Sequence, residues 1–190
     1  FSSDEHVHFK QSQNSRNFGW NIATGELKDN KDDNDRKVFG TLCHELLGHI
    51  HTYPNPALTE IAVRELVKDA YNQGIIPTET WRDEIMQTLL STVTNDKMIN
   101  FFTGDWNVLC EETVVFINED NEVEERRMDR VLRQDETHTA IVIDYKFGKD
   151  DPKYDLQVRR YMSICRQMGF TNVKGYLWIA QEQKLNEVFE

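Results

Sequence analysis

Two aspartates and a lysine stand at positions where they could do chemistry together. In the segment IVIDYKFG, Asp144 and Lys146 interrupt a run of strand-forming residues, and both lie on one face because side chains alternate across a strand. A short polar loop at residues 135–138 connects this segment to an earlier strand that carries Asp129. If the loop closes the hairpin symmetrically, the numbers of facing residues sum to 273, which places Asp129 opposite Asp144.

The expected facing of Asp129 and Asp144 calls for compensating positive charge. Facing residues have Cβ atoms roughly 4.5–5.5 Å apart, and like charges at that separation destabilise a sheet. A divalent cation is the simplest group that would hold both carboxylates, so we expect a cation site at the hairpin, with Lys146 beside the cation but not ligating it. The alternative is that each acid forms an ordinary salt bridge with Arg127 or Arg130.

The elements that position these residues follow from the apolar spacing along the chain. The first half is helical, with predicted helices over residues 38–50, from Pro56 to Gly74, from Thr78 through Leu90, and near 97–102. The second half has predicted strands over 107–117, 122–133, 139–147, 173–180 and 184–189, with a turn at 118–121 and a helix over 155–168. This order predicts an α/β fold in which a mixed central sheet is flanked by helices, with a helical N-terminal half.

The length of 190 residues suits one domain with a full core. Residues 1–37 lack periodicity and end in a charged run (28–37), so they are expected to form a linker or loosely ordered segment. A single domain is then expected over residues 38–190, with a helical part over 38–104 and an α/β core over 105–190. The first residue is Phe1 and not Met, which suggests a piece of a longer protein.

The charge distribution singles out the hairpin region. The net charge is −11, which by itself argues against nucleic acid as a partner. Residues 126–168, however, contain ten basic and seven acidic residues, a net charge of +3. The three cysteines are far apart, which indicates neither a disulfide framework nor a paired-cysteine metal site, and no apolar run is long enough to span a membrane.

Several of these residues also form a known pattern. The pair Asp129-Arg130 followed by IDYKFG resembles the GxxDR…hDYKTG signature of the RecB-like branch of PD-(D/E)xK nucleases. The segment GTLCHELL resembles the GTxxHxxL helix of that branch and places His44 at its histidine. The strand LCEETVV carries a glutamate at the family's strand position, which could be Glu112 or Glu111.

The resemblance continues into the predicted helix after the hairpin. There, Gln157 and Tyr161 match the family's QxxxY motif, so five motifs occur in the family order. The chain departs from the pattern in two places: the glycine before the DR strand is absent, and Phe147 replaces the threonine of the KTG triplet. Some relatives carry an iron–sulfur cluster held by four cysteines, and this chain has no paired cysteines to build one.

The resemblance implies a restriction-endonuclease-like core and a set of site residues. His44, Asp129, Asp144 and the main-chain carbonyl of Tyr145 are expected to hold Mg²⁺, and the imidazole makes Mn²⁺ a possible alternative. Lys146 is expected to assist the nucleophile. The remaining catalytic candidates are Glu112, as a ligand through water or to a second ion, and Gln157 and Tyr161, as positioning residues.

Each of these candidates also has an ordinary structural alternative. His44 lies away from the centre of the apolar face of its helix and could be a surface histidine, as we expect for His49 and His51. Glu112 could be an exposed strand acid. Gln157 could face solvent, and the ring of Tyr161 could serve helix packing alone.

The function expected from the resemblance is metal-dependent hydrolysis of DNA, as an exonuclease in preference to an endonuclease. Arg130, Arg159 and Arg160 are expected to contact DNA phosphates. The domain is expected to belong to a RecB- or AddA-like helicase–nuclease that acts in recombinational repair in the bacterial cytoplasm, at the nucleoid and not at a membrane. Its partners would be the helicase portion of the same polypeptide and a second subunit, since no Walker A motif is present.

Two other functions remain open at the level of the sequence. One is a non-catalytic nuclease fold that binds DNA or docks within such a complex. The other is an interaction domain without a nucleic-acid role, which would suit the acidic net charge. The interaction domain predicts no metal binding at the hairpin.

Overall fold

The structure is a computed structural model that describes residues 31–117 and 121–189. It has four helices, α1 (Lys31–Gly48), α2 (Pro56–Asn72), α3 (Glu79–Val93) and α4 (Lys153–Gln167). Its five strands are β1 (Asn107–Ile117), β2 (Val123–Gln134), β3 (Thr139–Lys146), β4 (Asn172–Ile179) and β5 (Lys184–Val188). Short 3₁₀ turns lie at Ile99–Phe101 and Ala180–Glu182.

Local capping chemistry fixes the starts of α2 and α3 where the sequence predicts them. The side chain of Asn55 accepts a hydrogen bond from the N–H of Leu58 at 3.1 Å, and Pro56 occupies the first turn, where its missing N–H costs nothing. Thr78 Oγ1 accepts from the N–H of Trp81 at 3.2 Å in the same way.

The five strands form one sheet in the order β1-β2-β3-β4-β5. Strands β3 and β4 are parallel and are connected through α4, while the other neighbours are antiparallel. Arg130 pairs with Ile143 and Val131 with Val142, so the numbers of facing residues in β2 and β3 sum to 273 as the sequence predicts. The predicted mixed sheet flanked by helices is confirmed.

The core lies on both faces of the sheet. One cluster joins α1, α2 and α3 to Leu132, Ile143 and Trp178, and the indole N–H of Trp178 donates to Thr92 Oγ1 of α3 at 3.2 Å. The other cluster joins α4 to the alternate residues of the same strands, including Val142 and Leu177. The central strand β3 is buried on both faces, so the end of this strand is where its polar residues can meet a substrate.

One predicted loop is helical. The charged segment 28–37 was expected to be a loop, but its described part, residues 31–37, forms the first turns of α1. It contains no glycine or proline to stop a helix that the apolar residues from Val38 onward require. The rest of the predicted linker and most of the predicted turn at 118–121 lie outside the described residues. None of the described helices has the length and apolar character needed to cross a membrane.

Candidate active site

Three side chains from three elements converge at one end of the sheet. One ligand-type atom each from His44 (α1), Glu111 (β1) and Asp129 (β2) lies within 4.8 Å of those of the other two. His44 Nδ1 is 3.3 Å from Asp129 Oδ2 and 3.8 Å from Glu111 Oε1. Imidazole nitrogen with carboxylate oxygens is a donor set that divalent cations accept.

The ring of His44 is held in place by aromatic contacts. Its centroid lies 5.1 Å from that of Phe147 and 6.3 Å from that of Tyr145, both in edge-to-face geometry. Phe147, which stands where related motifs carry threonine, therefore packs against the imidazole ring of His44. The alternative of an ordinary surface histidine does not fit this environment.

The structure brings Glu111, and not Glu112, into the group. Glu111 has a left-handed backbone conformation, with φ of 54°, between the ladder pairs formed by Cys110 and Glu112. This conformation is uncommon for a residue with a side chain and interrupts the alternation of the strand. As a result the carboxylate of Glu111 reaches His44, while Glu112 is exposed to solvent. Glu111 therefore occupies the position in the site that the sequence analysis assigned to Glu112 by preference.

Gly48 makes room for Glu111. It lies one helical turn after His44, and a Cβ atom at this position would be 2.7 Å from Glu111 Cγ, closer than side chains approach one another. A glycine in the last turn of α1 therefore permits β1 to lie against the helix at the cluster. Gly48 lies on the same face of the predicted helix as His44, and this spacing is the sequence feature that could have indicated its role.

Asp129 is fixed by the backbone of β3. Its Oδ2 accepts a hydrogen bond from the main-chain N–H of Tyr145 at 2.8 Å, just beyond the last ladder pair between Arg130 and Ile143. The carboxylate thus takes the place of a strand partner at the open end of the hairpin. The carbonyl of Tyr145, expected as a metal ligand, belongs to this same stretch of backbone, and its ligand role stays a prediction.

Asp144 is fully buried beside this group and pairs with Lys146. Asp144 Oδ2 is 2.6 Å from Lys146 Nζ. The other carboxylate oxygen, Oδ1, has no hydrogen-bond partner among the described residues. A buried carboxylate normally accepts several hydrogen bonds, so one ion pair leaves Asp144 with acceptor capacity unused. Asp144 is not a member of the three-residue group, unlike the ligand set expected from the sequence.

Burial and neighbouring negative charge both shift the pKa values of the cluster. Burial, followed by the charge of Asp129, raises the pKa of Asp144 to about 7 despite the ion pair with Lys146. Burial and the charge of Asp129 also raise the pKa of Glu111. Burial lowers the pKa of His44, but its hydrogen bond with Asp129 and the two nearby carboxylates raise it more, so the net shift is upward.

A divalent cation fits these observations. The donors are of the right types, and the buried Oδ1 of Asp144 has no hydrogen-bond partner among the described residues. Asp144, Glu111 and His44 all have raised pKa values, so the site without a cation favours the uptake of positive charge as protons. A cation would supply that charge and favour the ionised carboxylates and the neutral imidazole.

Lys146 is oriented by residues of α4. Its ammonium lies 3.4 Å from Gln157 Oε1 and 4.7 Å from the centre of the Tyr154 ring. Gln157 Nε2 donates to the hydroxyl of Tyr161 at 2.8 Å, and this hydroxyl donates to the carbonyl of Arg127 at 2.8 Å. The predicted site residues Gln157 and Tyr161 therefore form one hydrogen-bonded chain from Lys146 to β2.

Arg130 does not lie where the sequence predicts. It is fully buried, and its guanidinium donates to the carbonyls of Ile50 at 2.7 Å and His51 at 3.2 Å and stacks on Phe102. Arg130 is next to Asp129 in the strand, but its guanidinium is used by main-chain carbonyls that follow α1 and does not reach the site surface. The predicted contact with DNA phosphates is wrong, because Arg130 instead fastens the chain that leaves α1, the helix of His44.

Arg127 is a site residue that the sequence did not single out as such. Its Nε lies 2.5 Å from Glu111 Oε2, and its side chain is about half exposed. This ion pair holds Oε2 of Glu111, while the other oxygen, Oε1, lies near His44. Glu111 has a left-handed backbone conformation, so the alternation of the strand did not indicate the pair in the sequence.

The adjacent arginines Arg159 and Arg160 of α4 are both exposed, but only one lies beside the site. Arg160 lines a surface groove with Gln157 and Tyr161, and Arg159 is not among the described lining residues. The predicted phosphate contacts of both residues stay predictions.

The comparison with known families agrees with this geometry. A model of the PD-(D/E)XK nuclease superfamily matches residues 17–188. The chain belongs to the PD-(D/E)XK nuclease superfamily. Nucleases of this superfamily use divalent metal ions.

Solved structures include a similar chain described as a putative exonuclease from Eubacterium rectale. The sequence identity is 11% and the TM-score is 0.46, and the alignment covers 88% of this chain and 62% of that chain. This PD-(D/E)XK domain thus spans less than two thirds of the length of that structure. No curated protein matches the sequence.

Gly48→Ala should weaken Mn²⁺ binding by about tenfold or more, the range found when residues that support metal ligands are changed. The added methyl group would displace Glu111 from the group. Isothermal titration calorimetry of the folded variant measures the affinity. Gly40→Ala in the same helix is the matched control. Its added Cβ would lie 3.8 Å from Phe147 Cβ, which is an ordinary van der Waals contact. Equal Mn²⁺ affinity for wild type and Gly48→Ala would contradict the role of Glu111.

The metal-free protein should become less stable as the pH rises from about 5 to about 7. The folded-state pKa values of Asp144, Glu111 and His44 are all raised, so the folded state binds more protons than the unfolded state in this range. The free energy of unfolding then falls by about 1.4 kcal/mol per pH unit for each proton of difference.

Urea denaturation in EDTA measures this slope. Asp144→Asn removes one of the three groups and should flatten the slope between about pH 5 and about pH 7. A free energy of unfolding that rises with pH in EDTA, or an unchanged slope in Asp144→Asn, would show that Asp144 is not held in a charge-deficient site.

Proposed function

We propose that this domain is a Mg²⁺- or Mn²⁺-dependent DNA nuclease that hydrolyses phosphodiester bonds at the open end of the β2–β3 hairpin. The observation that carries the proposal is the fully buried carboxylate of Asp144, whose Oδ2 pairs with Lys146 and whose Oδ1 has no hydrogen-bond partner among the described residues. It lies beside a second group of donors, His44, Glu111 and Asp129. Without a cation this concentration of buried acids would be costly.

The residues that would hold the cation are His44, Glu111, Asp129 and Asp144, with the carbonyl of Tyr145 as a further ligand. When bound, the cation supplies positive charge for the scissile phosphate and lowers the pKa of water. Tyr145 contributes through its backbone, since its N–H already orients Asp129. Arg127 keeps the carboxylate of Glu111 directed into the site.

Lys146 would act on the reacting groups themselves. Its ammonium is held by Asp144, Gln157 and the ring of Tyr154, and its side chain is 16% exposed, so its donor group stays at the mouth of the site. From there it can donate hydrogen bonds to the attacking water and to a phosphate oxygen that gains negative charge. Gln157 and Tyr161 are positioning residues that hold Lys146 at this place.

We further propose that the domain is the RecB- or AddA-like nuclease part of a helicase–nuclease, acting as an exonuclease in recombinational DNA repair. The order of the five motifs supports this placement. The helicase portion of the same polypeptide and a second subunit would be its partners, in the bacterial cytoplasm at the nucleoid.

A non-catalytic docking module with the same fold is the second candidate. An inactive domain would have no need to keep Asp129, Asp144 and Lys146 together. It would also have no need of the chain from Lys146 through Gln157 to Tyr161. These features favour the enzyme.

Digestion of linear single-stranded DNA in Mg²⁺ or Mn²⁺ tests the proposal. Wild type should cleave, EDTA should stop cleavage, and Asp144→Asn should lose about a thousandfold or more in rate, as expected when charge stabilisation of several kcal/mol is removed. Asp135→Asn, an exposed acid in the loop of the same hairpin, is the matched control and should cleave normally. Cleavage that survives Asp144→Asn would contradict the assignment.

If neither protein cleaves, Mn²⁺ titration separates the two candidates. Binding by wild type that is lost in Asp144→Asn would indicate a competent site that requires its helicase. Absence of binding in wild type would refute the nuclease proposal in favour of a docking module.

A further inference from the structure

A groove on the surface beside α4 continues outward from the proposed site. It has a volume of about 330 Å³ and is lined by Arg126, Lys153, Leu156, Gln157, Arg160 and Tyr161, which we call the α4 groove. Two of these, Gln157 and Tyr161, are the residues that hold Lys146. A molecule in the α4 groove therefore contacts two residues of the hydrogen-bonded chain that holds Lys146.

The charged residues of the α4 groove are all cationic. None of its six described lining residues is acidic, although the chain carries a net charge of −11. Arg126 pairs with Glu124 at 2.5 Å and Lys153 with Asp151 at 2.8 Å, so both cations are already partly compensated. Arg160 forms no ion pair with the described residues and is exposed. An anionic ligand would therefore form its most favourable ion pair in the groove with Arg160.

An apolar side chain lies among these cations. Leu156 is 59% exposed, one of the largest exposures among the apolar side chains of the described residues. It precedes Gln157 on α4 and lines the groove with Arg160, one helical turn further on. A nucleotide presents the matching combination, because its phosphate is anionic while its sugar and base offer apolar surface.

We propose that the α4 groove binds the nucleotide next to the scissile phosphate, with Arg160 on its phosphate and Leu156 against its sugar or base. This inference rests on the proposed nuclease function and extends it by a binding subsite outside the catalytic group. It also separates the two adjacent arginines: Arg160 binds DNA within the groove, and Arg159 does not.

Binding of a fluorescently labelled DNA oligonucleotide in EDTA, measured by anisotropy over a range of salt concentrations, tests the subsite without cleavage. Arg160→Gln should weaken binding about tenfold at low salt, the range for loss of a charge-assisted hydrogen bond. The slope of log affinity against log salt should fall by about one. Arg159→Gln is the matched control on the same helix and should leave that slope unchanged.

Leu156→Ala separates the apolar contact from the charge. It should weaken binding a few-fold while the salt dependence stays that of wild type. Both Leu156 and Arg160 are exposed, so neither change is expected to affect folding.

Equal effects of Arg160→Gln and Arg159→Gln would overturn the subsite, and so would a wild-type protein that binds no DNA in EDTA. Metal-dependent cleavage by wild type together with either of these results would refute the subsite while the nuclease function stands. A bound oligonucleotide with the predicted difference between the arginines, but no cleavage, would support the subsite, and the Mn²⁺ titration described above would then decide whether the catalytic group is competent.

Discussion

The register of the β2–β3 hairpin is the constraint on which the site depends. The numbers of facing residues sum to 273, and the last paired residues are Arg130 and Ile143. The same register places Asp129 and Asp144 next to each other just beyond this pair, at the open end of the hairpin. There Asp129 bonds the backbone of Tyr145, and Asp144 is buried with Lys146 as its partner. A slip of one residue would move each side chain to the opposite face and disperse the group.

Several features outside the hairpin bring other elements to these two acids. Buried Arg130 binds the carbonyls that follow α1, which fixes the helix of His44 against the sheet. Gly48 allows β1 to approach the same helix, and the left-handed conformation of Glu111 turns its carboxylate inward. From the other face, Gln157 of α4 reaches Lys146. The group is therefore assembled from both layers of helices.

The parts of the structure that depend on local pattern could be predicted from the sequence. Capping residues and apolar spacing gave the starts of α2 and α3, and the short polar loop gave the register of β2 and β3. The order of the motifs predicted the superfamily, because most of the motif residues lie together in the site and are spaced as the site requires. The fold class followed from the order of helices and strands.

The remaining features depend on contacts between distant segments, which spacing alone does not reveal. Burial of Arg130 requires the carbonyls of Ile50 and His51, which are remote in sequence. The choice between Glu111 and Glu112 depends on one backbone torsion that no composition rule encodes. The first turns of α1 were mistaken for a loop because their charged residues resemble a solvated linker, although they contain no helix breaker.

Anomalous diffraction from crystals grown with Mn²⁺ would test the central claim, that the hairpin acids and His44 hold one divalent cation. The account predicts a manganese peak within bonding distance of His44 Nδ1 and of carboxylate oxygens of Glu111, Asp129 and Asp144. A well-ordered site without a manganese peak, with Lys146 still paired to Asp144, would contradict it. So would a peak bound elsewhere on the domain.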